Sequence, residues 1–353
     1  MKHSVGLVLG LALLTSTALA GPAASPQKNP GAPVTAFQVT NLISNQDGVA
    51  ANTDPDLVNS WGIAQGGTGP LWVADNGTGV STVYDHGSGE KQGLTVTIPN
   101  GAPTGMVFVK NGGFPITENG VTGDSIFIFV TENGRIEGWN PSVDPTNAVI
   151  AVDNSAHRSV YKGVGLSDGK SQLYAADFQR GNVHVFDANF TEINKFTDNQ
   201  LPKRFAPFNV KVIAGEVYVA FAEREKGGID NVNGPGLGYV DVFRRDGHLK
   251  TRLISNGVLN APWGMEIAPA SFGSFAGDLL VGNFGDGTIN AFNRDTGEFL
   301  GTLSDSNGTP IVIDGLWALE NRPFGKITFS AGPDDEANGL VGTITPVEMV
   351  AKK

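Results

Sequence analysis

The chain has 353 residues, of which 40% are hydrophobic and 17% are charged, with 48 glycines and 20 prolines. This composition excludes a disordered protein and is typical of a folded chain rich in turns. A formal net charge of −11, with no block of lysine or arginine, argues against binding to nucleic acid or to an anionic membrane surface. The absence of cysteine excludes disulfides, thiol nucleophiles and cysteine-bound metal ions.

The first twenty residues (1–20) are predicted to be a signal peptide. Lys2 and His3 form a short basic start, residues 5–14 form an apolar run, and small residues surround the expected cleavage near Ala20. The apolar run is shorter than the roughly 20 residues that cross a membrane. We therefore expect an exported protein, either periplasmic or secreted, without a membrane span.

The next segment, residues 21–34, is rich in proline, alanine and glycine and is predicted to be a flexible spacer. From residue 35 to about 350, short strands recur in six repeats with a spacing of roughly 40–55 residues, which is typical of propeller blades. The second strands of the repeats read LWVADN, IFIFVTEN, LYAADF, VYVAFA, LLVGNF and ITFSAG. The sequence therefore predicts an all-β fold, a six-bladed β-propeller.

The two ends of the repeat region are predicted to close the ring. The last repeat ends with its third strand, GLVGTITPV, and a spare strand, AFQVTNLIS, precedes the first repeat. An unpaired strand edge favours association with other chains, and closed propellers avoid such edges. We expect the N-terminal strand to complete the last blade.

The innermost strand of each blade should begin near one mouth of the central channel. The residues expected there, one from each blade, are Trp61, Thr104, Lys162, Phe208, Trp263 and Asp314. Three aromatic rings with one cation and one anion suit a small amphipathic or sugar-like ligand. The alternative is that the aromatic rings pack between blades and that Lys162 pairs with Asp314 only to close the channel.

An enzymatic function is left open by the sequence. It contains no G-x-S-x-G or S-x-x-K motif, and its histidines are scattered. The best candidate for catalysis is Asp314 as acid, base or ligand, and Lys162 and Asn209 would help it. They would serve a metal-assisted hydrolase or lyase that acts on an extracytoplasmic substrate.

One acidic turn is a candidate calcium site. Asp334, Glu336 and Asn338 stand at positions 1, 3 and 5, with Gly339 at position 6, as in an EF-hand loop. Position 12 is Thr345 instead of the usual bidentate glutamate, so a simple acidic turn is the alternative. No other cofactor is identified.

Several strings together resemble one known family. They include DPDLVNSWGIA, GPLWVADNGTGVSTVYD, VTENGRIEGWN and LNAPWGMEIAPASFGSFAGDLLVGNFGDGTINAF. The resemblance covers about residues 36–345 and is to an exported bacterial family first noted in organisms with the PEP-CTERM sorting system. The repeats are also distantly similar to NHL propellers. The resemblance implies export and a six-bladed propeller, but no activity, and the C-terminal TPVEMVAKK is not a sorting tail.

These observations favour an exported, soluble propeller that acts as a ligand- or protein-binding module with an aromatic-rimmed channel mouth. Its partner would be a small molecule or an envelope protein, and the protein itself is expected to be a monomer.

Overall fold

The structure is a computed structural model that describes residues 35–109, 112–169, 171–322 and 325–347. The predicted signal peptide (1–20), the predicted spacer (21–34) and the last residues of the predicted propeller (348–350) lie outside the described residues. The described residues form six sheets of four or five mainly antiparallel strands, one for each predicted blade, and a separate two-stranded sheet. The six-bladed β-propeller predicted from the repeats is confirmed.

Each of the first three blades contains four strands, which are named from the innermost strand outward. The strands of blade 1 are Ser60–Gln65, Leu71–Asp75, Val80–Tyr84 and Lys91–Thr97. Those of blade 2 are Pro103–Phe108, Phe127–Thr131, Arg135–Trp139 and Val149–Asp153. Those of blade 3 are Tyr161–Leu166, Gln172–Asp177, Asn182–Asp187 and Glu192–Phe196.

The remaining blades follow the same order. The strands of blade 4 are Phe205–Ile213, Glu216–Glu223, Gly238–Phe243 and Leu249–Ser255. Those of blade 5 are Pro262–Ile267, Leu279–Asn283, Ile289–Phe292 and Phe299–Thr302. Those of blade 6 are Leu316–Arg322, Lys326–Ala331, Leu340–Val347 and Ala36–Ser44.

A few short elements supplement the blades. The strand Asn52–Thr53 runs parallel to the end of Ala36–Ser44. A hairpin of Pro115–Glu118 and Val121–Asp124 is inserted between the first two strands of blade 2. Single-turn 3-10 helices occupy Ser155–His157 and Gly273–Phe275. Within the described ranges the structure contains no helix with the length and hydrophobicity that a membrane crossing requires.

The ring is closed by the N-terminal strand, as predicted. Ala36–Ser44 pairs antiparallel with Leu340–Val347, with Ala36 opposite Val347 and Ser44 opposite Leu340. Ser44 also donates a hydrogen bond from its hydroxyl to the carbonyl of Gly339, 2.9 Å away. The first described strand and the last one therefore belong to the same sheet.

Glycine is required at two kinds of position, in hairpin turns with a positive φ and where two inner strands approach closely. Gly134 has a φ of 76° in the turn between the second and third strands of blade 2, where a hairpin needs a positive φ. At the propeller axis, a Cβ atom on Gly163 would lie 2.1 Å from Oδ1 of Asn209 in the next blade. The inner strands of blades 3 and 4 can be this close only because Gly163 has no side chain.

The hydrophobic core lies between neighbouring blades. Trp72 of blade 1 and Phe127 of blade 2 stack with ring centroids 4.1 Å apart, within a cluster of buried residues from both blades. Similar clusters of buried residues join blades 2 and 3, 3 and 4, 4 and 5, and 5 and 6. Packing on both faces of each sheet explains why the second strands are almost continuously apolar.

Candidate functional site at the propeller axis

Each innermost strand carries a β-bulge near its start, where its pairing with the second strand skips one or two residues. A bulge re-aims the side chain that it carries. The six bulges hold Trp61, Thr104, Lys162, Phe208, Trp263 and Trp317. Five of these are the residues that the sequence placed at the channel mouth.

The sixth position is corrected by the structure. The sequence assigned it to Asp314, but the inner strand of blade 6 begins at Leu316, and Trp317 lies in its bulge. Gly315 has a φ of 63° and forms a turn before the strand. Asp314 therefore precedes the ring and is exposed, with its Oδ2 accepting a hydrogen bond of 2.9 Å from the backbone N–H of Asp334.

The three tryptophans of the bulges form a buried layer across the axis. Trp61 and Trp317 stack with ring centroids 3.6 Å apart and an interplanar angle of 15°. Trp263 meets both edge-on, at 6.4 and 6.0 Å. Phe284 covers the other face of Trp317 at 3.9 Å. We call Trp61, Trp263 and Trp317 the tryptophan layer.

The tryptophan layer closes this end of the channel. Trp61, Trp263 and Trp317 are 1%, 4% and 1% exposed, and Phe208 is fully buried. We predicted aromatic rings around an open channel mouth. The structure corrects this prediction, because the large rings stack on one another and fill the axis. Contacts of this kind add about 0.5–1.5 kcal/mol per pair beyond the buried area.

Two other predicted residues tie blades together. The Thr104 hydroxyl lies 2.8 Å from the carbonyl oxygen of Tyr161 in blade 3 and 3.1 Å from that of Val130. Asn209 donates from Nδ2 to the carbonyl oxygen of Trp263, 2.8 Å away in blade 5. These contacts give Thr104 and Asn209 a clear structural role at the axis.

Lys162 has its ammonium group on the tryptophan layer. The group lies 5.1 Å from the ring centroid of Trp61 and forms an ion pair with Glu132. It is also 3.4 Å from Oδ1 of Asp230, and the Lys162 side chain is only 3% exposed. Glu132 and Asp230 are thus the partners of Lys162, where the sequence had suggested Asp314.

Further polar groups surround this ion pair. Asn76 donates to Glu132 at 3.0 Å, and Asn59 donates to Glu336 at 2.6 Å. Asn59 also accepts a hydrogen bond of 2.9 Å from the indole N–H of Trp317. We call the six residues the axial cluster; they are Asn59, Asn76, Glu132, Lys162, Asp230 and Glu336.

The electrostatics of the axial cluster depend on Glu336. Burial raises the pKa of the Glu336 carboxyl, and the charges of Glu132 and Asp230 add to this effect. Lys162 and the hydrogen bond from Asn59 act in the opposite direction. Three carboxylates against one ammonium give the cluster a negative formal charge, which attracts cations and hydrogen-bond donors.

The residues named for calcium make contacts within the protein. Oδ2 of Asp334 accepts a hydrogen bond of 2.7 Å from Asn338, whereas Glu336 turns towards Asn59. In the described part of the chain, no group of three or more histidine, aspartate or glutamate side chains is placed to hold a metal ion. The turn at residues 334–336 has positive φ at all three residues.

Five residues at the axis were not predicted from the sequence, namely Trp317, Glu132, Asp230, Asn59 and Asn76. Trp317 could have been found from the sequence, because Leu316-Trp317-Ala318 matches Pro262-Trp263-Gly264 when alanine is accepted in place of glycine. Asn76 and Glu132 both directly follow a second strand. Asp230 lies in a long loop, and no pattern in the sequence indicates where that loop folds.

Two uncharacterised mimivirus proteins are related to this chain over most of its length. The uncharacterised protein R648 of Acanthamoeba polyphaga mimivirus is 34% identical over 342 residues, which cover 92% of this chain and 85% of R648. The uncharacterised protein L690 of the same virus is 35% identical over 344 residues, which cover 92% of this chain and 91% of L690. The chain belongs to the family of these two proteins. No model of a known protein family matches it.

Solved structures share the fold at low sequence identity. A protein of unknown function from Bacteroides thetaiotaomicron has a TM-score of 0.56 and 13% identity, with 88% of this chain and 76% of that chain covered. A streptogramin B lyase has a TM-score of 0.52 and 9% identity, with 89% of this chain and 98% of the lyase chain covered. At such identities the likeness supports the propeller fold alone.

Proposed function

We propose that the protein is an exported binding module and that the axial cluster is its ligand site. The observation that carries the proposal is the buried ammonium group of Lys162, which lies on the tryptophan layer and meets Glu132 and Asp230. Burial of a charge costs free energy unless partners offset the loss of hydration, and buried ionisable groups concentrate at functional sites. We infer export from the predicted signal peptide, and the likeness to the PEP-CTERM-associated bacterial family supports it.

The arrangement is suited to binding because it combines a rigid floor with polar groups from several loops. Asn59, Asn76 and Glu132 come from blades 1 and 2, whereas Asp230 lies in the loop that precedes the third strand of blade 4. Exposure increases outward, from 3% for the Lys162 side chain to 20% for Glu132 and 65% for Asp230. A ligand can therefore reach the carboxylates while the aromatic floor stays packed.

The charge of the site favours a cationic ligand. The carboxylates of Glu132, Asp230 and Glu336 exceed the single ammonium of Lys162, and the whole chain has a net charge of −11. The tryptophan rings are buried, so stacking of a sugar on them is disfavoured. We propose that the site takes amino or guanidino groups, carried by a small molecule or by the surface of an envelope protein.

Calorimetric titration with spermidine at low ionic strength tests this proposal. We expect binding to the wild-type protein and at least a tenfold weaker affinity in the Glu132→Gln/Asp230→Asn double variant, a loss of about 1.4 kcal/mol. Asp246→Asn is the matched control, because Asp246 has a similar side-chain exposure of 60% and lies in a distant hairpin. Equal affinity of the double variant and the wild type would contradict the proposal.

A metal-assisted hydrolase or lyase is the alternative function, with Ca²⁺ as its candidate cofactor at Asp334, Glu336 and Asn338. A metal site saturated at 100 times its dissociation constant stabilises the folded state by about 2.7 kcal/mol. A rise of several degrees in melting temperature with excess Ca²⁺, reversed by chelator and absent in Asp334→Asn, would favour this alternative. Equal melting temperatures in Ca²⁺ and in chelator would count against it.

A further inference from the structure

The propeller axis holds a cavity on the opposite side of the tryptophan layer. It has a volume of about 380 Å³ and is lined by the inner strands of all six blades. Ligand pockets of this kind usually measure about 300–1,000 Å³ and combine apolar walls with a few polar groups. We propose that this cavity is a second binding site and that it takes a small primary amine with an apolar tail.

The inner part of the cavity is mainly apolar, and its amide residue Asn209 already hydrogen-bonds to Trp263 and Val210. Trp263, Met106 and Met265 belong to its lining, and the two methionines, 5% and 1% exposed, also pack in the clusters between neighbouring blades. Ala318 and several glycines of the inner strands also belong to the lining. Methionine side chains adapt to irregular shapes, which suits a wall that meets a flexible tail.

The outer part of the cavity is charged. The ammonium of Lys211 lies 2.5 Å from Oε2 of Glu266 and 2.9 Å from Oε2 of Glu320. Glu266 is held further by hydrogen bonds from the backbone N–H groups of Ile267 and Asn321, at 2.8 and 3.2 Å. Burial opposes a charged Lys211, but Glu266 and Glu320 raise its pKa above the usual value.

These charges define the orientation and the type of the ligand. The side chains of Lys211 and Glu320 are 26% and 33% exposed, so the charged end is the one that opens to solvent. Lys211 and Glu320 belong to the lining, and with the buried Glu266 beside Lys211 the group has a negative formal charge. An amphipathic amine would therefore place its tail against Trp263 and the methionines, with its ammonium group beside Glu320.

The site is independent of the axial cluster. The tryptophan layer separates the two, and none of the six axial residues belongs to the lining of the cavity. Loss of spermidine binding at the axial cluster would thus leave amine binding in the cavity unchanged. Failure of one proposal can be distinguished from failure of the other.

The test uses n-hexylamine as the probe, with n-hexanoate and ethylamine as comparisons. Met106 and Met265 are residues of the cavity lining, so their ¹³C-methyl resonances, assigned with Met→Leu variants, are the reporters of binding. We expect saturable shifts of both resonances with hexylamine and no saturable shift with hexanoate. Each buried methylene should strengthen binding about fourfold, so ethylamine should bind far more weakly.

Two variants separate charge from volume. Glu320→Gln should weaken hexylamine binding at least tenfold, whereas Glu216→Gln, which removes a carboxylate from the surface pair with Lys250, should not change it. Val107→Trp should fill part of the cavity and exclude the probe. Equal binding of hexanoate and hexylamine, or unchanged affinity in Glu320→Gln, would overturn the proposal. An absence of methionine shifts would overturn it as well.

Discussion

Trp61 and Trp317 lie face to face at the axis, although one belongs to the first blade and the other to the last. The indole N–H of Trp317 also reaches Asn59, just before the inner strand of blade 1. Closure of the ring is therefore secured in two places, by the pairing of Ala36–Ser44 with Leu340–Val347 at the outside and by this stack at the centre.

Loss of the central stack should weaken the whole ring. Trp317→Ala is expected to destabilise the folded protein by about 3–5 kcal/mol, because it removes a fully buried ring and leaves a cavity. Urea denaturation measures this change in the free energy of unfolding. Phe299→Ala is the control, since Phe299 is 45% exposed and its loss should cost less than about 1 kcal/mol. Similar effects of both substitutions would contradict a stabilising role for the stack.

Removal of the N-terminal strand should have a larger effect. Deletion of residues 1–44 would leave the edge of Leu340–Val347 without its partner and expose apolar groups of blade 6. We expect a melting temperature far below that of the intact protein, together with a tendency to aggregate. Deletion of residues 1–34 keeps the strand and is the control. Equal melting temperatures for the two deletions would show that the strand does not hold the ring closed.

Breaking the buried ion pair of Lys162 and Glu132 should cost more stability than breaking an ion pair on the surface. Lys162→Met should destabilise the protein by about 3–5 kcal/mol, because Glu132 would keep its charge without its partner. Lys250→Met breaks a pair with Glu216 in which the lysine side chain is 47% exposed, and it should cost less than about 1 kcal/mol. Thermal and urea unfolding of both variants test this contrast. Partial rescue of Lys162→Met by Glu132→Gln is the further expected result.

A buried glutamate in blade 2 predicts a pH-dependent stability. Burial raises the pKa of the Glu137 carboxyl to about 8, from 4.5 in its ordinary state, and the neighbouring charges of Arg135 and Asp153 modify it in opposite directions. Its two side-chain oxygens have no hydrogen-bond partner among the described residues. Between pH 4.5 and about 8 the folded protein holds a proton that the unfolded chain releases. The free energy of unfolding contributed by Glu137 therefore falls as pH rises through this range.

Glu137→Gln isolates that contribution. The variant should lose part of the pH dependence and become more stable than the wild type at pH 8, by on the order of 2–4 kcal/mol. Urea denaturation at pH 5 and pH 8 measures the difference between the two proteins. Glu118→Gln, in the exposed hairpin of blade 2, should keep the wild-type pH dependence. An unchanged slope in Glu137→Gln would show that the carboxyl titrates normally in the folded state.

Much of the fold could be predicted because blade repeats carry local signals. The second strands are apolar, their hairpin turns contain residues such as Gly134, and the spare strand at residues 36–44 matches the missing strand of blade 6. The start of the sixth inner strand was predicted wrongly, because Asp314-Gly315 has the glycine that follows the bulge residue in most other blades. The true start has Ala318 where most other blades have glycine, and this substitution hid the match with Trp61 and Trp263.

The candidate site was only partly predictable for a different reason. Lys162 could be placed at the axis from its position in the repeat, but its partners are set by loops without a repeat pattern. Asp230 lies in one such loop, and Glu336 reaches Asn59 from another. Burial of the tryptophans depends on how rings from three blades stack, and the order of residues along each strand does not reveal this.

The most direct test of the proposed function is a crystal structure of the protein with spermidine. We expect electron density for an amino group within hydrogen-bond distance, about 2.7–3.2 Å, of the carboxylates of Asp230 or Glu132. The tryptophan layer beneath it should keep its packing. Spermidine bound elsewhere, with no ligand density at the axial cluster under saturating conditions, would contradict the assignment of that cluster as the binding site.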